Sequence, residues 1–261
     1  MELLGYFSAV LIGISLGLIG GGGSILTIPI LVYLFKIEPE NATSYSLFIV
    51  GFSSLIGTYK HYKLGNLQIK AALYFGIPSL VALLITRKFI LPTIPSVVFK
   101  INQYQITKDV LIMVAFSVLM IFAAFSMIKK QSETESRETN HLKLAFLGIT
   151  IGIITGFLGA GGGFLIIPTL VLFANLSMKH AIGSSLFIIF INSTIGFLGD
   201  VINGVNINYS FLIIITSIAS IGILIGTQLS KKIDGKKLKP AFGWFVLVMG
   251  IYIISKEFLN M

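Results

Sequence analysis

Apolar runs dominate the chain, and short polar stretches separate them. In the first half the runs cover residues 3–19, 24–35, 42–59, 71–86 and 110–128. In the second they resume at Leu144 and cover 164–174, 181–198, 209–229 and 241–255. Such runs predict membrane helices, because about 20 residues of helix cross a hydrocarbon core of roughly 30 Å. The second run of each half is too short for this. Residues 24–35 make only about 18 Å of helix, so the segment spans part-way or with help. Between the runs lie a loop at 36–41, a basic loop at 60–70, and a connection at 87–108 with Pro92 and Pro95, expected to lie partly at the membrane interface. Residues 129–140 form the one long polar run, a composition that does not order itself by apolar burial. The expected organisation is a first membrane repeat over 1–128, a polar cytoplasmic linker over 129–142 and a second membrane repeat over 143–261.

The two halves repeat each other in detail. Gly17-Leu-Ile-Gly-Gly-Gly-Gly-Ser24, followed by Pro29, returns 139 residues later as Gly156-Phe-Leu-Gly-Ala-Gly-Gly-Gly163, followed by Pro168. The register runs without a gap from Gly13/Gly152 through Ser46/Ser185 to Gly57/Gly196, with about 19 identities over roughly 45 positions. Loops rich in Lys and Arg stay on the cytoplasmic side. Placing 60–70, the linker and 231–239 there puts 36–41 and 200–208 outside. The matching loops 60–70 and 200–208 then lie on opposite faces, so the halves are expected to be inverted repeats. This holds whether the first two segments of each half cross or form a re-entrant pair. It leaves 87–108, with its four basic residues, outside against the charge rule. The expected fold class is an all-α polytopic membrane protein of two inverted-topology repeats, about five hydrophobic segments each, with glycine-broken helix hairpins near the midplane.

Composition narrows the function classes. Hydrophobic residues make up 55% of the chain and charged residues 11%, with a mean hydropathy of +0.95, whereas a soluble domain carries about 25% charged residues. The net charge of +9 sits in short loops and makes no basic face, so nucleic acid is not an expected partner. The absence of Cys excludes disulfides, thiolate metal sites and cysteine catalysis. His141 and His180 have no partner at metal-ligand spacing, and no intramembrane His-Glu-x-x-His, Ser/His or Asp/Asp pair suggests an enzyme. No metal and no cofactor is expected. Residues 3–20 lack a basic n-region and a small-residue cleavage site and read as a retained helix. Trp244 reads as an interfacial anchor. Lys60-His61 and Asp200 occupy matching positions and are expected at the membrane interface, so that no Asp or Glu falls inside an apolar segment.

The glycine knots carry the candidate chemistry. Glycines let backbone approach closely. The first N–H groups of the helix that follows have no helical partner, and the helix dipole adds positive charge there. Together these make an anion site without a cationic side chain. Gly20, Gly21, Gly22, Gly23 and Ser24 form one cradle, and Gly159, Gly161, Gly162 and Gly163 the other. The next helices open with small residues, among them hydroxyls that also serve as N-caps: Thr43, Ser44 and Ser46 in the first half, Gly183, Ser184 and Ser185 in the second, with Asn192 further along. Gly-rich packing of membrane helices is the plainer reading of such a motif. Its duplication in register with the Pro, Ser and Phe positions favours function.

The paired glycine motifs, Pro29 and Pro168, and the Ala-x-x-x-Ser-Leu-Phe runs at Ala42 and Ala181 resemble the sulfite exporter TauE/SafE family over nearly the whole chain. The resemblance implies a cytoplasmic-membrane permease, multi-pass, for a small sulfur-containing anion such as sulfite or sulfoacetate. Ser24 stands where the second copy has Gly163, so the two cradles need not be equivalent. The expected function is a secondary transporter, an exporter by the resemblance, working by alternating access. An anion channel and a permease for a non-sulfur solute are the alternatives. Expected partners are a small anionic solute and the lipid bilayer; a homo-oligomer is compatible with the sequence.

Overall fold

The computed structural model describes residues 2–101, 104–128, 141–158, 162–232 and 235–259. Among them each half contributes five helices. In the first half α1 is Glu2–Ile19, and α2 is Gly22–Pro29 running on into a π turn, Ile30–Leu34. Then come α3, Pro39–Lys63; α4, Ile69–Ile85, extended by a π turn Thr86–Ile90 and a short turn Leu91–Thr93; and α5, Lys108–Ile128. In the second half α6 is His141–Leu158, α7 Gly163–Phe173, α8 Met178–Ile202, α9 Tyr209–Lys232 and α10 Gly235–Leu259. Among the described residues four stretches are long and apolar enough to cross a membrane: Ile69–Thr93, Lys108–Phe125, Met178–Ile202 and Tyr209–Ser230. This is a helical, multi-pass membrane protein.

The connection at 87–108 is where expectation and structure part. It holds a two-stranded antiparallel hairpin, β1 Val97–Ile101 and β2 Tyr104–Thr107, so the fold is not purely helical. Val97, Val98, Ile101, Tyr104 and Ile106 are residues that favour strands. Helix α4 also runs past Thr86 and takes Arg87 with it. The chain turns extended at Ile94 (ψ 119°), the residue before Pro95, where proline disfavours helix. The prolines set the end of this helix, and the charge at Arg87 does not. The 129–140 part of the expected linker lies outside the described residues, and α6 already begins at His141, inside the expected 129–142.

The 139-residue register is also a register of backbone geometry. Lys36 (φ 58°) matches Asn175 (φ 52°), and Gly65 (φ +71°) matches Gly204 (φ +84°). The Ile37 N–H donates to Leu31 O at 3.1 Å, and that of Leu176 to Leu170 O at 3.2 Å. Asn66 N–H donates to His61 O at 3.0 Å, and Val205 N–H to Asp200 O at 3.1 Å.

The halves interlock. Helix α1 packs mainly on α9, and α6 packs mainly on α4; α3 lies against α8, and α5 against α10. Small residues make the first two contacts possible. A Cβ on Gly13 would sit 1.9 Å from Ala219 O, and one on Gly152 would sit 2.2 Å from Ser79 O. A larger residue at either position would force the helices apart.

Candidate functional site

Each glycine knot is the tip of a helix hairpin. Gly20 adopts φ +75°, a conformation glycine takes without penalty, and the chain reverses. Gly23 then lies beside Ile12 and Leu16 of α1. At the open end the Tyr6 and Phe35 rings meet edge-on at 5.7 Å. The second hairpin turns through Gly162 (φ +69°), which packs on Thr155 of α6. The expected site residues Gly159 and Gly161 lie outside the described residues.

The two tips touch. A Cβ on Gly21 would be 2.0 Å from the carbonyl carbon of Gly163, and one on Gly163 would be 2.5 Å from Gly21 Cα. At 1.5 Å per residue, α2 with its π turn is about 20 Å long and the 11-residue α7 about 17 Å. Placed tip to tip they equal the roughly 37 Å of the 25-residue α3. Two half-length helices therefore meet N-terminus to N-terminus, and the positive ends of their dipoles converge. In this conformation the backbones leave no room for an ion between Gly21 and Gly163.

The remaining expected residues fall into three places. Near the tips, Ser24 Oγ donates to Gly21 O at 2.6 Å. Ser185 Oγ donates to Ile182 O at 2.9 Å and lies beside Gly20, where a Cβ would be 2.9 Å from it. At one end of α3 sit Thr43 and Ser44. At the other end Gly183 abuts Asn66 and His61, and Ser184 Oγ accepts the Gln68 N–H at 3.0 Å. Ser44 and His61 are 17 positions apart on α3, roughly 26 Å, so these hydroxyls do not form one cluster.

Away from the two ends, α3, α8 and α9 bury further polar atoms. Ser46, Ser53 and Ser54 of α3, Asn192 Oδ1 and Ser193 of α8, and Thr216 of α9 have no hydrogen-bond partner among the described residues. Asn192 Nδ2 donates to Ser79 Oγ at 2.9 Å. The helices are close here, with a Cβ on Gly51 only 3.0 Å from Ser193 Cβ. Buried polar atoms are nearly always paired, so these groups keep hydrogen-bonding capacity to spare. The sequence reading named Ser46 and Asn192 but passed over Ser53 and Ser54. Their signal was present, since Ser53-Ser54 matches Asn192-Ser193 in the repeat register.

The largest correction concerns charge. Asp200 lies inside α8 and is only 5% exposed, Arg87 is 5% exposed and His61 2%; all three are buried within the protein. Arg87 Nε donates to Asp200 Oδ1 at 2.7 Å, and Nη2 contacts Oδ2. Nη2 also donates to Ser44 Oγ at 3.0 Å and Thr43 Oγ1 at 3.3 Å, and Nη1 donates to Gly156 O at 3.0 Å. Ser44 Oγ donates to Asp200 Oδ2 at 2.6 Å. Four helices are tied together at this end. A cavity of about 250 Å³ adjoins the cluster, lined by Ser44, Arg87, Asp200, Glu40, Asn41 and Asn203 among others. The sequence did carry a hint: in Phe197-Leu-Gly-Asp200-Val-Ile202 the acid has apolar neighbours on both sides, the setting in which membrane carboxylates are functional. No group of three or more metal-ligating side chains occurs among the described residues.

Comparison with known proteins agrees with this architecture. Among curated proteins the chain is 28% identical to the probable membrane transporter protein YdhB of Bacillus subtilis, over 94% of this chain and 96% of that one. It is 27% identical to a probable membrane transporter protein of Xylella fastidiosa, covering 97% and 95%. It is 28% identical to the probable membrane transporter protein MJ0441 of Methanocaldococcus jannaschii, covering 94% and 92%. No solved structure matches it. Residues 6–253 match the family of the sulfite exporter TauE/SafE. With its duplicated glycine hairpins and interlocked halves, the chain belongs to the sulfite exporter TauE/SafE family.

Proposed function

We propose that this protein is a secondary transporter, an exporter, of a small anion such as sulfite, sulfoacetate or another organosulfur anion in the cell membrane. The observation that carries the reading is the meeting of two half-length helices, N-terminus to N-terminus, at Gly21 and Gly163. Converging dipole ends and unpaired N–H groups favour an anion without fixing it by a full charge. The buried hydroxyls of Ser46, Ser53 and Ser54 on α3 and Ser193 on α8 supply neutral donors along the path. The halves, 1–128 and 143–261 about a cytoplasmic linker, are inverted repeats, a design that transporters use for alternating access. By loop charge the Arg87 end faces outward and the His61 end the cytoplasm. Separation of the hairpin tips would admit the anion to Gly20–Ser24, Gly159–Gly163 and Ser185. An inside-negative potential favours export by about 2.3 kcal/mol per charge at 100 mV.

The test is efflux from proteoliposomes loaded with labelled sulfite, with sulfoacetate, thiosulfate, sulfate and acetate as external competitors. Saturable efflux accelerated by one external anion is the expected result. Non-saturating flux without such acceleration would indicate a channel. No protein-dependent flux of any of these anions from folded protein would overturn the anion reading.

A further inference from the structure

The Arg87 cluster goes beyond that reading. We propose that Arg87 and Ser44 form a second oxyanion site at the outward end, and that in this conformation the carboxylate of Asp200 occupies it. The inference rests on the transporter reading for its role in transport, but its chemistry stands on the cluster alone.

The carboxylate of Asp200 is itself a small oxyanion, and its contacts show what the site takes. One oxygen receives Arg87 Nε at 2.7 Å, and the other receives Arg87 Nη2 and, at 2.6 Å, Ser44 Oγ. This side-on, two-oxygen grip is the geometry by which a guanidinium binds carboxylates, phosphates and similar groups. Arg87 is held from behind by Gly156 O at 3.0 Å, near the C-terminus of α6, where the dipole favours a cation. The donor side is therefore fixed, and the acceptor comes from another helix. Arg87 also sits in the π turn Thr86–Ile90, a wide turn that recurs at functional sites. It is buried there, whereas the following Lys88, Phe89 and Ile90 are exposed.

The site also has an approach. The adjoining cavity of about 250 Å³ reaches the surface at Glu40, Pro92 and Asn203, which are exposed. Glu40 is engaged by Lys108 at 2.6 Å, so it does not compete for Arg87. Asn41 and Asn203 line the same cavity and offer neutral partners to a carboxylate that turns away from Arg87. An arriving oxyanion exchanges for Asp200, and that exchange unties α8 from α3 and α4. A tie serving stability alone would be built more cheaply from apolar side chains.

The experiment measures binding of sulfite and of sulfoacetate to detergent-solubilised protein by calorimetry, with proteoliposome flux measured in parallel. Three proteins are compared: wild type, Asp200→Asn and the double variant Arg87→Gln/Asp200→Asn. The single variant keeps the shape but removes the resident charge, and should bind at least about tenfold more tightly than wild type. The double variant, a neutral pair that can still hydrogen-bond, should lose that gain and bind no better than wild type. Equal affinity of wild type and D200N, or a double variant binding as tightly as D200N, overturns the site. If only the double variant folds, wild-type-like flux from it overturns the proposal and a loss of flux upholds it. Gain of binding in D200N without flux in wild type would instead remove the transporter reading and leave the site.

Discussion

The two ends of the α3–α8 pair have the same backbone and opposite chemistry. At one end Asp200 of α8 faces Ser44 of α3. At the other, the matching residues are His61 of α3 and Gly183 of α8, in direct contact. The third partner differs too. Gly156 packs on Leu83 O as Gly17 packs on Ile223 O, so Thr227 stands where Arg87 stands. Thr227 only donates to Ile223 O of its own helix, at 2.8 Å. One end is held by the Arg87–Asp200 charge pair and the other by close packing of Gly183 on Asn66 and His61 with a hydrogen bond to Ser184, which teaches that duplication fixed the frame and left each end free to acquire its own closure. Opening the first end means parting two desolvated charges. Opening the second parts close contacts that include the hydrogen bond from the Gln68 N–H to Ser184 Oγ.

The largest test of that contrast is removal of the cation. Arg87→Ala leaves Asp200 buried without its counter-charge and should cost about 3–5 kcal/mol, read as a lower midpoint of thermal unfolding in detergent. Thr227→Ala at the matching place should cost no more than about 1 kcal/mol. Similar losses in the two would erase the distinction. Ser44→Ala removes a hydrogen bond to a carboxylate and should cost about 1.5–3 kcal/mol by the same measurement. At the packed end Gly183→Val is the counterpart. Its Cβ would fall 2.4 Å from Asn66 O, and the overpacking should cost about 1–3 kcal/mol and raise solvent accessibility, read by cysteine labelling of an Asn66→Cys reporter in the cysteine-free chain. The smallest effect should be a shared one. Tyr45 and Ser184 are 139 residues apart, and each accepts a backbone N–H from the loop before the next helix, Asn208 at 2.8 Å and Gln68 at 3.0 Å. Tyr45→Phe and Ser184→Ala should each cost about 1 kcal/mol, and unequal losses would show that the frame is not symmetric at this level.

Much of this frame was legible in the sequence because glycine leaves a readable mark. The tips at Gly20–Ser24 and Gly162–Gly163 and the short second helices follow from residue spacing and helix rise. The charge pair was not legible for two reasons. Arg87 follows an apolar run and stands five residues before Pro92, so it resembles a helix end, whereas the helix widens into a π turn and carries the side chain inward. Asp200 sits three residues from a glycine turn at Asn203-Gly204, and only the partner on α4 reveals that it is buried. Pairing between residues 113 positions apart leaves no local trace. The β-hairpin was missed because the prolines before it suggested an irregular loop. The unpartnered hydroxyls of Ser53 and Ser54 could have been found by extending the repeat comparison from glycines to polar positions.

The interlocking of the halves has a consequence for how the protein is made. Helix α1 is synthesised well before α9, yet its glycine face packs on it, and α9 begins about 190 residues later. At roughly 5–20 residues per second the wait is on the order of 10–40 s. During it Gly13 and Gly17 have no backbone to meet, and lipid or the insertion machinery must cover them. Helix α1 thus finds its place only late, and assembly completes only when the second half has entered the bilayer.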